Sequence, residues 1–234
     1  MSSKYYEWLA RNEKPAPERE LTPAEKRRNW WHYYKWHVLV AAILLGIVCD
    51  IGWNLLSSKA PDCQVAYVGS NLLPEDTVAA LEASLSGLCG DLNGDGKEQV
   101  RLVQYVTSGD SAYSSEVLLT SDILECESYL FLLEDPAWFQ ESFHSLRRLD
   151  GSLPEQEDRK AEGTWVLWEQ CPVLANLDLG NYSYRVLDQT ISGSSQELVR
   201  GLSVARRGFW TEKTVLNPEG CDAFWETLTE GAIS

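Results

Sequence analysis

The run from Val38 to Leu56 constrains this chain more than any other feature. Its first twelve residues, VLVAAILLGIVC, hold no group more polar than a thiol. At about 1.5 Å per residue, the stretch from Trp36 to Leu56 reaches roughly 30 Å, the thickness of a bilayer core. Trp36 and Trp53 stand near its two ends, where aromatic rings favour the membrane–water interface. A core helix of a soluble protein is rarely apolar on every face and aromatic at both ends, so the run predicts a transmembrane helix. Asp50 falls within it, one turn from Trp53, close enough to the outer interface to snorkel there.

Flanking charge predicts the orientation. Lys26, Arg27, Arg28 and Lys35 precede the run and only Lys59 closely follows it, which places the N-terminus in the cytoplasm and the bulk of the chain outside. Residues 1–56 carry eight Lys or Arg against six Asp or Glu, whereas residues 57–234 carry twelve against 29. Parts of one chain that differ so in charge face different surroundings. The overall net charge of −15 argues against nucleic acid as a partner, because phosphate binding needs a basic face. Cleavage as a secretory signal is disfavoured. The segment ahead of Val38 is far longer than a signal n-region, and the one small-x-small site, Ser58-Lys59-Ala60, runs into Pro61. Bulky Val48 before Cys49 likewise spoils a lipoprotein signal. The expectation is an uncleaved signal anchor, single-pass, in the cell membrane.

Four segments follow from this reading. Residues 1–22 form a disordered cytoplasmic tail interrupted by Pro15 and Pro17, with Tyr5, Tyr6 and Trp8 as a candidate docking patch for a cytoplasmic partner. Residues 23–56 form one juxtamembrane and transmembrane helix, opened by the capping box Thr22-Pro23-Ala24-Glu25. Its basic and aromatic stretch from Trp30 to Trp36 suits an anionic leaflet, making the lipid bilayer the first expected partner. A linker spans 57–62, and residues 63–234 form an extracytoplasmic α/β domain.

Within that domain the first half alternates. Cys63–Gly69, Gln99–Val106 and Ser128–Leu133 read as strands, the last an apolar run of the kind buried in a parallel sheet. Val78, Leu81, Leu85 and Leu88 form a helical stripe over Pro74–Leu88, and a second helix covers Tyr113–Cys126. Asp135-Pro136 opens a third, expected to reach about Arg147. This order predicts a single three-layer α/β domain with a mainly parallel or mixed sheet and right-handed crossovers. Farther on, Asp150–Gly163 reads as a polar loop, Thr164–Trp168 and Pro172–Leu177 as strands, Leu198–Phe209 as a strand although it fits the helical period as well, and Cys221–Leu228 as a terminal helix.

Several stretches also resemble a family. Tyr34-Lys35-Trp36-His37, Val65-Ala66-Tyr67-Val68-Gly69, the acidic turn Asp91–Gly96 and Phe131-Leu132-Leu133-Glu134-Asp135-Pro136 are similar to segments of single-pass membrane proteins of anaerobic Gram-positive bacteria. The resemblance covers most of residues 33–136. It implies an anchored outer domain and carries no function with it. At fold level the α/β half also resembles one lobe of an extracellular solute-binding protein, an analogy of architecture rather than of activity.

The sharpest local motif is Asp91-Leu92-Asn93-Gly94-Asp95-Gly96-Lys97. Oxygen ligands at alternate positions with glycine at the sixth match the first half of a calcium loop. Asp91, Asn93 and Asp95 would offer side-chain oxygens and Lys97 its backbone carbonyl. Position twelve is Leu102 where a bidentate Glu belongs, so the competing reading is a plain turn built on Asn-Gly and Asp-Gly. Calcium is the one cofactor the residues suggest.

Catalytic patterns are missing from the sequence. His144 is the one histidine beyond the span, no G-x-S-x-G elbow or phosphate loop occurs, and the cysteines lack C-x-x-C spacing. Cys63, Cys89, Cys126, Cys171 and Cys221 are an odd set, as readily buried thiols as bridges. Trp165 and Trp168, beside the polar loop, are the tryptophans best placed to line a pocket. These features predict a membrane-anchored binding or interaction module, not an enzyme, with an envelope or membrane protein as a further partner. A surface hydrolase using unidentified carboxylates and a structural subunit of an envelope complex are the alternatives.

Overall fold

Apolar residues on every face and the absence of Gly or Pro between Pro23 and Gly46 favour one long helix, and α1 runs Pro23–Ser57. The computed structural model describes residues 22–57, 60–155, 157–160, 162–187 and 189–232, with the side chains of 51–57 outside that description. The docking patch at Tyr5, Tyr6 and Trp8, the side chain of Trp53 and most of the expected tail therefore lie outside the described residues, as do linker residues 58 and 59. Thr22 Oγ1 accepts the amide of Glu25 at 3.4 Å while Glu25 Oε2 accepts the amide of Thr22 at 2.9 Å, completing the capping box. Leu39, Ile43, Leu44 and Val48 are all exposed, and the segment Pro23–Asp50 is long and apolar enough to cross a membrane.

The chain divides into two compact units, one ending at Lys59 and the other beginning at Ala60. The second unit is mixed α/β. Its strands β1 (Cys63–Gly69), β2 (Val100–Val106), β3 (Leu130–Leu133), β4 (Trp165–Leu167) and β7 (Ser203–Arg206) form one sheet in the order β2-β1-β3-β7-β4. β1 pairs in parallel with both β2 and β3, while β7 runs antiparallel to β3 and β4, so the sheet is mixed.

Alternate residues of the central strands feed two cores. Val65 and Tyr67 of β1, with Leu130 and Leu132 of β3, join Leu81 and Leu85 of α2 (Glu75–Cys89) and Phe224 and Trp225 of α7 (Pro218–Leu228). Ala66 and Val68, with Phe131 and Leu133, face Leu119 of α3 (Ala112–Glu125) and Phe139 of α4 (Pro136–Phe143). Helices thus cover both faces, which is why β1 and β3 read as continuous apolar runs.

Several boundaries depart from the sequence reading. Helix α4 stops at Phe143, short of Arg147, because His144 takes a left-handed conformation (φ 48°) and returns its amide to Gln140 O. Pro172–Ala175 is the short helix α5 rather than a strand, since Pro172 occupies its first position and Cys171 its N-cap. Leu198–Phe209 divides between α6 (Ser195–Val199) and β7. A second, two-stranded sheet, β5 (Asn181–Val186) with β6 (Gln189–Ser194), has no counterpart in the sequence reading. The loop 150–163 follows a segment tied to β7: Arg147 N donates to Arg206 O at 3.0 Å, and Arg206 Nη2 reaches Leu149 O at 3.2 Å.

The described cysteines are free thiols. Cys63, Cys89 and Cys221 share one core, and burial pushes the Cys89 thiol up to about 12 and that of Cys171 to about 11. His144 moves the other way. Burial, and then the charge of Arg159, hold its imidazole below the usual histidine value of about 6.5. The unfolded chain therefore binds the extra proton first, and stability falls as pH drops through that usual value towards the folded one. Unfolding midpoints should fall between about pH 7.5 and 5.5. They should fall less in His144→Asn, which tolerates the same left-handed backbone. Equal pH dependence in both chains would remove His144 as the cause.

Candidate functional site

Strand order identifies where an open α/β sheet can hold a ligand. From β1 the chain passes through α2 to β2 on one side, then through α3 to β3 on the other, so the strand order reverses at β1. The carboxyl ends of β1 and β3 therefore diverge into a crevice, the usual ligand position in such sheets. A cavity of about 790 Å³ lies there, within the range of small-molecule sites. A second, of about 490 Å³, adjoins it through Ser70 and Glu134 and is bordered by Asp135 and Trp138.

The floor of the cleft is built at Gly69. Glu134, directly after β3, receives the amide of Ser70 on Oε2 and the Ser70 hydroxyl on Oε1 at 2.9 Å. Tyr67 donates its hydroxyl to Asn71 O at 3.0 Å, and Leu73 N donates to Gln104 Oε1 at 2.7 Å. These bonds fold the loop after β1 over the ends of three strands. Burial, and then the charge of Glu134, push the Tyr67 phenol up to about 12, so it stays a neutral donor.

The wall comes from the hairpin and from α6. Tyr182 and Tyr184, two apart on β5, lie on one face with ring centroids 5.9 Å apart and planes 20° from parallel. Ser183 N donates to Asp76 Oδ2 at 3.0 Å, and Thr77 Oγ1 donates to Ser195 Oγ at 2.9 Å, which anchors the hairpin and α6 to the first turn of α2. Glu197 of α6 completes the wall. Among the described residues lining either cavity there is no Lys, Arg or His.

The acidic turn Asp91–Lys97 lies at the opposite end of β1, between α2 and β2. Asp91 Oδ1 accepts the amides of Gly94 (2.7 Å) and Asp95 (3.1 Å), and its Oδ2 that of Gly96 at 2.7 Å. Asn93 Oδ1 accepts from Asp95 N, and Asp95 Oδ1 from Lys97 N, both at 2.9 Å. The side-chain oxygens thus wrap the loop's own backbone. Among the described residues no group of three or more His, Cys, Asp or Glu side chains is placed to hold a metal.

Sequence reasoning missed the residue that fixes this turn. Buried Asp62 accepts Leu92 N and Asn93 N on Oδ1, at 2.8 and 2.9 Å, and Gln99 N on Oδ2 at 2.7 Å. Asp62→Asn is expected to lower stability by about 1–2 kcal/mol in urea titrations, since an amide can satisfy these three donors with only one oxygen. An unchanged midpoint would show that the turn holds without the carboxylate.

Trp165 and Trp168 do not line the cleft. Trp168 is fully buried in the main core and Trp165 packs against the second one. The aromatic residues at the cavities are Tyr67, Tyr182, Tyr184 and Trp138. A period-two pattern in Asn181–Val186 was the available signal for the two outer tyrosines. No family model, curated protein or solved structure matches the chain.

Proposed function

We propose that residues 60–232 form a binding module that takes a small ligand into the cleft at the carboxyl ends of β1 and β3. One observation carries this reading: a ligand-sized cavity sits where the strand order reverses, walled by paired tyrosines on a hairpin that the main sheet does not need. Binding is favoured over hydrolysis because both oxygens of Glu134 are engaged with Ser70. That leaves the carboxylate poorly suited to general acid–base work. The module works at a membrane, outside the cytoplasm. The length of α1 and the basic residues ahead of its apolar run support that placement.

The test is thermal unfolding of the full chain in detergent against a panel of small metabolites. At least one should raise the melting temperature, with the shift lost when Tyr182 and Tyr184 are both changed to Ala. A panel without effect, or a shift that survives the double change, would overturn the cleft reading.

Calcium at Asp91, Asn93, Asp95 and Lys97 is a separate proposal, supported by three side-chain oxygen donors within one seven-residue loop. Its check is a calcium-dependent rise in melting temperature that Asp91→Ala and Asp95→Ala abolish. No rise at millimolar calcium would reduce the loop to a turn.

A further inference from the structure

We infer that the cleft selects an organic cation, a small amine or quaternary ammonium ion, an inference that rests on the binding reading above and specifies its ligand. The sign of the charge comes first. Glu134, Asp135 and Glu197 border the two neighbouring cavities, and no basic side chain among the described residues lines either one. The surrounding field is negative too, with 29 acidic against twelve basic residues beyond residue 56. A ligand anion would enter against all of these charges, whereas a cation gains from each of them.

The aromatic residues sharpen the class. Tyr182 and Tyr184 stand nearly parallel on one hairpin face, and Trp138 borders the adjoining cavity. Electron-rich ring faces beside carboxylates are the usual means of recognising alkylammonium groups, because the ring quadrupole attracts a cation whose methyl or methylene groups also need apolar cover. Leu72, Leu73 and Leu198 supply that cover on the remaining wall.

The lining is less suited to a sugar. Ser70 Oγ is engaged with Glu134, and Asn71 Nδ2 donates to Ser70 Oγ at 3.2 Å, so two of the short polar side chains already serve one another. The tyrosine geometry has its own support. A Cβ at Gly193, opposite Tyr182 in the ladder, would lie 2.7 Å from the Tyr182 hydroxyl oxygen, so the ring lies flat across a glycine that leaves room for it.

The experiment compares choline with the neutral isostere in which carbon replaces its quaternary nitrogen, and adds putrescine, glucose and succinate. Each is titrated into the full chain in detergent at constant ionic strength, followed by tyrosine and tryptophan fluorescence and by melting temperature. Choline or putrescine is expected to bind at least tenfold more tightly than the isostere. Affinity should weaken as salt rises, and Glu197→Gln or Tyr184→Ala should reduce it at least tenfold without changing the unliganded melting temperature. Equal binding of the isostere, or preference for glucose or succinate, would overturn the cationic class and leave the cleft reading standing. No response to either amine would also overturn it. The metabolite panel then decides the broader reading: a ligand lost with Tyr182 and Tyr184 preserves it, and an empty panel removes both.

Discussion

Replacing Asp122 by alanine should cost the α/β unit about 3–5 kcal/mol, a large share of the stability of a domain this size. Asp122 and Arg207 are both almost fully buried and lie 3.6 Å apart. Each ion also has neutral hydrogen-bond partners. Asp122 accepts Ser128 N at 2.9 Å, the Tyr105 hydroxyl at 2.8 Å and Gln64 Nε2 at 3.3 Å, so it ties β1, β2 and the start of β3 to the end of α3. Arg207 donates to Ser128 O at 2.8 Å and to Ile123 O, a carbonyl in the last turn of α3, and its guanidinium lies over the Phe131 ring at 5.8 Å. It therefore both neutralises Asp122 and caps a helix end that carries partial negative charge.

Removing the carboxylate leaves a buried guanidinium with carbonyl partners and no counter-charge. Burial already pulls Arg207 below its ordinary value, and nearby charges, Asp122 among them, oppose that pull. The pair as a whole contributes much less than the single substitution suggests, because desolvating two ions offsets most of their attraction. Asp122→Leu combined with Arg207→Met should therefore recover a substantial part of the loss. Urea unfolding of the four chains in the double-mutant cycle measures this. A single Asp122→Ala that unfolds within about 1 kcal/mol of the native chain would show that water or backbone motion relieves Arg207, and the account would fail.

The same cluster shows what a sequence can and cannot reveal. Residues 63–143 were legible because their periods are long enough to read. β1 and β2 each give seven residues, and α2 and α3 give 15 and 14. Past Asp150 the strand at Thr164–Trp168 and the terminal helix were still readable, but α5 and α6 have only four and five residues, fewer than two helical turns each. The hairpin was harder still. Tyr182, Tyr184 and Val186 alternate along β5, but both strands are largely exposed, β6 carries no matching alternation, and Leu187-Asp188 between them lacks the Asn-Gly or Gly pair that marks a tight turn.

Site residues were hidden for another reason. Asp135 is legible as a cap because its partner Trp138 N is three residues away, at 2.9 Å. Glu134 is not, because Ser70 stands 64 residues earlier and only the parallel pairing of β1 with β3 brings them together. Helix α3 misleads in the opposite sense. Val117, Leu118 and Leu124 made it look apolar, yet these are exposed, and the helix buries Ser115, Leu119 and Asp122.

Gly69→Val should both destabilise the unit, by about 3 kcal/mol, and abolish whatever ligand response the native chain shows. The backbone at Gly69 has no left-handed φ, so a side chain costs nothing in conformation, and the whole effect is one of space. A Cβ there would lie 2.5 Å from Tyr67 Cζ and 3.0 Å from Glu134 Oε2. Neither neighbour can give way cheaply. Tyr67 is buried, with its hydroxyl held by Asn71 O, and Glu134 holds the loop through Ser70. Pushing either aside opens the turn after β1, which is the floor of the cleft.

The stability loss and the binding loss should separate in a second variant. Gly69→Ala with Tyr67→Leu removes the ring that a Cβ would strike, so it should regain much of the stability while the cleft, deprived of the Tyr67–Asn71 bond, still binds poorly. Full stability in Gly69→Val alone would mean that the loop has a second, equally good path over the strand ends. The cleft would then owe its shape to the hairpin rather than to the glycine at the end of β1.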